Sequence, residues 1–91
     1  MIFEWDEAKR LSNLEKHGLD FMDAHEVFED DARYSKEDKR FSYGEKRFIT
    51  VGEMKSQLVL ALCHTDRNGR VRIISLRPAS RQERRFYHGN S

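Results

Sequence analysis

The sequence predicts an α+β domain: a small antiparallel sheet with two N-terminal helices and a C-terminal helix. Three observations carry that reading. Apolar residues recur at helical spacing up to about residue 31 and at strand spacing from about residue 32. The run "SQLVLALCHT" is apolar on both of its alternating faces, Leu58/Leu60/Leu62 and Val59/Ala61/Cys63, as a central strand covered on both sides requires. After Pro78, Ser80 and Glu83 stand three apart and form a capping box that launches a last helix. A chain of 91 residues holds one domain, 1–91, around a single thin core.

Taken in order, "IFEW" opens as a short strand, and Asp6 offers an N-cap to a helix with Ala8, Leu11 and Leu14 on one stripe. Gly18 stops that helix, with Lys16 and His17 placing positive charge at its negative end. Asp20 caps a second short helix with Phe21, Ala24, Val27 and Phe28 on its apolar side, ending in "EDD". "ARYSKED" and "KRFITVGEM" read as strands joined by the polar loop "KRFSYGE". "DRNG" then turns the central strand back into "RVRIISLR", because Asn-Gly accepts the left-handed dihedrals of a tight hairpin. On the final helix Arg81, Arg84, Arg85 and His88 fall within one arc, with Phe86 nearly opposite on the side that docks to the sheet.

Net charge is only +1, yet it is divided. Residues 1–38 carry twelve acids against five Lys/Arg, a net of −7, and residues 39–91 carry four acids against twelve Lys/Arg, a net of +8. Residues 67–85 hold seven arginines and no lysine. A guanidinium presents two parallel donors and stays ionised when partly buried, so this choice favours phosphate oxygens. The alternative is that these arginines neutralise the chain's own acids or a partner's carboxylates. Arg72 and Arg77 fall on opposite faces of an unbroken strand, and a bulge near Pro78 would bring them to one cleft.

Cys63 lies alone in an apolar run and reads as a small buried hydrophobe, which suits a reducing compartment. The N-terminus shows acids where a secretory signal needs a basic flank and an apolar stretch, so a cytoplasmic location is expected. One Cys and four His at positions 17, 25, 64 and 88 form no ligand spacing, "EDD" lacks the separated carboxylates of a two-metal nuclease, and there is no P-loop or GxGxxG. No metal and no cofactor are expected. RNA cleavage without a metal needs a base, an acid and cations that grip the crowded phosphorane. His64, at the end of the central strand beside the arginine strand, and Tyr87 are the candidate proton carriers, while Lys16 and His17 sit at a helix end; His25 and His88 read as incidental.

"FEWDEAKRLSNLEKHGLDFMDAHEVF" followed by "RVRIISLRPASRQERRFY" resembles the BrnT family of type II toxins over almost the whole chain. The pieces that carry it are Trp5-Asp6, Asn13, Lys16-His17-Gly18 with Phe21, Arg72-Ile73-Ile74-Ser75 with Arg77, and Glu83-Arg84 with Tyr87. Asp30-Asp31 stands where that pattern often has Asp-Pro. The resemblance implies a RelE-like, metal-independent endoribonuclease that arrests translation and is neutralised by a BrnA-like ribbon-helix-helix antitoxin, with promoter DNA bound through a toxin–antitoxin heterotetramer. It implies phosphate and transition-state roles for Arg72, Arg77 and Arg84, beside the candidates His64 and Tyr87, and an RNA-binding surface that includes Lys16, His17, Arg70, Arg81 and Arg85. The rival reading is a nonenzymatic nucleic-acid-binding or corepressor module acting with a ribbon-helix-helix partner.

Overall fold

The structure, a computed structural model, describes residues 1–40 and 44–89. The chain runs β1 (Ile2–Trp5), α1 (Glu7–His17), a 3-10 turn (Phe21–Asp23), α2 (His25–Glu29), β2 (Tyr34–Asp38), β3 (Arg47–Glu53), β4 (Val59–Arg67), β5 (Arg70–Pro78) and α3 (Arg81–Gly89). Part of the expected loop "KRFSYGE" lies outside the described residues. The five strands form one sheet in the order β1-β5-β4-β3-β2. Three of its pairings are antiparallel, but β1 runs parallel to β5, so the sheet is mixed rather than antiparallel throughout. The second N-terminal helix is also shorter than expected: Asp20 caps only a 3-10 turn, and a five-residue helix follows it. Among the described residues, no helix is long and apolar enough to cross a membrane.

Local signals behave as their chemistry requires. Asp6 accepts from the Lys9 amide, and Gly18, at φ 68°, returns its own amide to Leu14. Asn68 and Gly69 both take positive φ and close the β4–β5 hairpin. Ser80 Oγ accepts from the Glu83 amide at 3.1 Å while Glu83 accepts from the Ser80 amide at 2.8 Å, completing the capping box.

The helices cover opposite faces. Beneath α1 and α2 lies a core of Phe21, Ala24, Val27, Leu60, Leu62, Ile73 and Leu76. Beneath α3 lies a smaller one of Ile49, Val51, Ala61 and Ala79, with Tyr87 packed on it. At Gly52 the α2 backbone comes so close that an added Cβ would stand 2.9 Å from the Val27 carbonyl oxygen.

Orientation of α1 departs from its apolar stripe. Leu11 is 53 % exposed, and Ala8 and Leu14 also face outward, whereas Asn13 is buried at 8 %. The reason is an open strand edge. β1 pairs with β5 only as far as Ile73, and beyond it, on the edge away from β4, no strand among the described residues lies beside the buried Leu76. Asn13 supplies both partners, accepting from the Leu76 amide at 3.1 Å and donating to its carbonyl at 2.8 Å. Leaving such groups unmet costs about 1–3 kcal/mol each, so the polar face of α1 is drawn inward.

Candidate functional site

The strand arginines are positioned by a bulge. In the β4–β5 register Cys63 faces Ser75 and His64 faces Ile73, so Ile74 is the extra residue. The bulge lies at Ile74 rather than near Pro78. It shifts the alternation by one, sending Ile73 and Leu76 together into the larger core and Arg72 and Arg77 together onto the α3 face. Their partners on β4, Thr65 and Ala61, lie four residues apart, which separates the two arginines by roughly 13 Å along the sheet. They share a face without sharing one phosphate.

These guanidinium groups already have partners. Arg72 donates to Glu4 at 2.9 Å, and Arg70 stands 3.9 Å from the same carboxylate. Arg77 grips both oxygens of Glu83 at 2.7 and 3.1 Å. Glu83 is only 4 % exposed. Burial opposes its charge, but the hydrogen bonds from Arg77, the Ser80 amide and Lys36 outweigh burial and hold its pKa at about 2. Arg77 therefore ties β5 to α3. The strand arginines expected to hold phosphate thus stand paired with the chain's own acids, Glu4 and Glu83.

Two expected proton carriers are placed elsewhere. His64 sits within β4 and, sharing the parity of Leu60 and Leu62, lies on the face opposite Arg72 and Arg77. Its Nε2 is 2.7 Å from Thr50 Oγ1, with the rings of Phe28 and Phe48 at 5.2 and 6.0 Å, and burial lowers its pKa. Tyr87 packs into the smaller core and donates its hydroxyl to Asp30. Burial and that carboxylate both push its pKa up, so it is a poor proton donor at neutral pH. Asp30 also accepts from the Glu53 and Ala32 amides, which makes the pair a brace between α3 and the end of α2.

The last helix is a ridge. Glu83 and Tyr87 form its buried side, not Phe86, which is 54 % exposed. Arg81 and Arg85 occupy the crest, exposed and without a carboxylate partner among the described residues. On one flank, Arg84 and His88 join His17 of α1 in a cleft of about 350 Å³ that Leu58, Leu60 and Pro78 also line. Arg84 is aimed by a 2.6 Å hydrogen bond from Nη1 to the Ala79 carbonyl. Lys16, exposed at the end of α1, is the residue before His17. Two imidazoles and a guanidinium in one cleft are the groups that phosphodiester cleavage needs without help from a metal. His88, read from the sequence as incidental, lines this cleft with His17 and Arg84; its place four residues after Arg84 on the basic arc is the sequence signal for that position. Among the described residues, no three His, Cys, Asp or Glu side chains gather closely enough to hold a metal ion.

A family model described as the ribonuclease toxin BrnT of type II toxin–antitoxin systems matches residues 5–83. The match takes in His17 and the strand arginines and stops one residue short of Arg84. A 1.1 Å crystal structure of the Brucella abortus ribonuclease toxin BrnT aligns with a TM-score of 0.65 and 27 % identity, covering 89 % of this chain and all of that one. A search of curated proteins finds no match. With the greater part of its length matched, the chain belongs to the BrnT family of ribonuclease toxins of type II toxin–antitoxin systems.

Proposed function

We propose that the protein is a metal-independent endoribonuclease whose reaction centre is the His17–Arg84–His88 cleft. The observation that carries this is the meeting of two imidazoles and an anchored guanidinium in one concavity, contributed by α1 and α3. One imidazole takes the proton of a ribose 2′-hydroxyl, whose oxygen attacks the neighbouring phosphorus. The new bond is P–O2′ and the broken one P–O5′. The other imidazole, protonated at the start, gives its proton to the departing 5′-oxygen, leaving a 2′,3′-cyclic phosphate and a 5′-hydroxyl. Arg84 faces the phosphoryl oxygens as charge builds on them.

Family membership supports an antitoxin partner and an RNA target, and the protein acts in the cytoplasm to arrest translation. The antitoxin is a BrnA-like ribbon-helix-helix protein that covers α3. Promoter DNA is bound only through the toxin–antitoxin complex, a heterotetramer.

The test is cleavage of a single-stranded RNA by the purified protein in EDTA. The expected result is full activity, cyclic phosphate ends, and a loss of about 10²- to 10⁴-fold in His17→Ala and in His88→Ala, each folded like the parent. Dependence on an added divalent ion, or wild-type rates in both variants, would overturn the proposal.

A further inference from the structure

On the other flank of α3, away from the cleft, a groove of about 510 Å³ runs between the helix and edge strand β2. Its wall is an aromatic pair. Phe86 and Tyr34 stand with ring centroids 4.6 Å apart, and the Tyr34 hydroxyl donates to the Glu83 carbonyl at 3.2 Å, fixing the lower ring. Phe86 itself is more than half exposed, and Gln82 lines the same groove with an amide that has no partner among the described residues. An adjoining cavity of about 320 Å³, sharing Lys36 and Glu83 with the groove, is lined by Lys39, Arg40 and Arg77 together with Glu37 and Asp38, and there Arg40 is paired with Asp38 and Arg77 with Glu83. Arg81 and Arg85 stand on the crest directly above.

An exposed ring fixed from below, with the guanidinium groups of Arg81 and Arg85 on the crest beside it and an unused amide next to it, matches one ligand chemistry. That ligand is an unpaired nucleobase, flat and polar at its edge, carried on a phosphate chain. An apolar anchor from a protein would use the ring but would need separate acidic side chains for the guanidinium groups on the crest, whereas a nucleotide brings the flat base and the anionic phosphate together. Resting on the reading of the cleft as the reaction centre, we infer that the Tyr34–Phe86 groove is a subsite that stacks one base of the RNA substrate on Phe86. The strand then crosses the crest at Arg81 and Arg85 to reach the His17–Arg84–His88 cleft. A helix with its side chains is about 10–12 Å across, a span of a few nucleotides. The stacked base therefore lies a fixed, short distance along the strand from the scissile phosphate and sets where the RNA is cut.

The experiment uses short 2′-O-methyl RNAs, which bind without being cleaved, carrying 2-aminopurine at each position in turn. Stacking on Phe86 quenches the fluorescence at one position. Phe86→Ala is expected to abolish that quenching and weaken binding about 5- to 150-fold, and Phe86→Trp to retain both. With cleavable RNA, Phe86→Ala is expected to spread the cuts over more sites while the products keep their cyclic phosphate ends. Unchanged quenching, affinity and cut sites in Phe86→Ala overturn the subsite and leave the ring pair as a surface for a protein partner, even where the His17 and His88 variants are inactive. Failure of those histidine variants to lose activity would overturn the cleft instead.

Discussion

Arg77 and Glu83 face each other across the turn that carries β5 into α3, guanidinium to carboxylate at 2.7 and 3.1 Å. Removing Arg77 leaves a buried carboxylate with too few donors, and Arg77→Ala is expected to cost about 3–5 kcal/mol of stability. Glu83 supplies the matching pH dependence. Its pKa falls from an ordinary 4.5 to about 2 on folding, so its contribution is complete above 4.5 and is lost as pH falls towards 2. The shift corresponds to about 3 kcal/mol. Urea unfolding between neutral and strongly acid pH measures it, and Glu83→Gln should flatten that part of the profile; an unaltered profile would remove the pair from the stability of the fold.

Among the described residues, Asn13 is the only partner of the Leu76 backbone on the side of β5 that β1 leaves open. Asn13→Ala strands an amide and a carbonyl in the core, an expected loss of about 2–4 kcal/mol. Chemical unfolding reads this directly. Asn13→Asp keeps the acceptor for the Leu76 amide but loses the donor to its carbonyl, so it should be destabilised too. A loss under half a kcal/mol in Asn13→Ala would mean that water reaches the edge.

His64→Gln is expected to cleave RNA at the parental rate, since the imidazole lies on the face away from the cleft's arginine and is engaged by Thr50. Its effect belongs to stability. Burial lowers the pKa of His64, so the unfolded chain binds its proton more readily and the native state loses stability as pH falls below 6.5. In His64→Gln that slope should shrink. A large loss of cleavage at full stability would return His64 to the chemistry.

The two groups of arginines should separate in a salt titration of RNA binding. Arg81→Ala and Arg85→Ala remove cations without carboxylate partners, and each is expected to lower the slope of log affinity against log salt by about 0.7. Arg72→Ala removes a cation already neutralised by Glu4, so the slope should stay as it is. Equal effects at all three positions would put the strand arginines in contact with the nucleic acid.

What the sequence disclosed was whatever a few neighbouring residues decide. Gly18, Asn68-Gly69 and the Ser80–Glu83 box each act over five residues or fewer, and each appears where it was expected. Features set by distant segments stayed hidden. Nothing in "IFEW" says that it lies parallel to residues 70–73, because that pairing spans most of the chain. One extra residue at Ile74 reverses the facing of everything after it in β5, and no turn residue marks it. The stripe of Ala8, Leu11 and Leu14 named the apolar side of α1, but an unmet strand edge chose the other side. For the site, the arginine-rich composition was plain, yet which arginines are unpaired depends on where Glu4 and Glu83 arrive in space.

The parallel pairing of β1 with β5 also sets a schedule. β1 has no strand partner until residue 73 has emerged from the ribosome, and α3, which brings Arg84 and His88, follows later still. Contacts of such sequence separation close slowly. A chain made only as far as β5 holds His17 without Arg84 and His88, so the cleft proposed as the reaction centre is assembled only once α3 has been added.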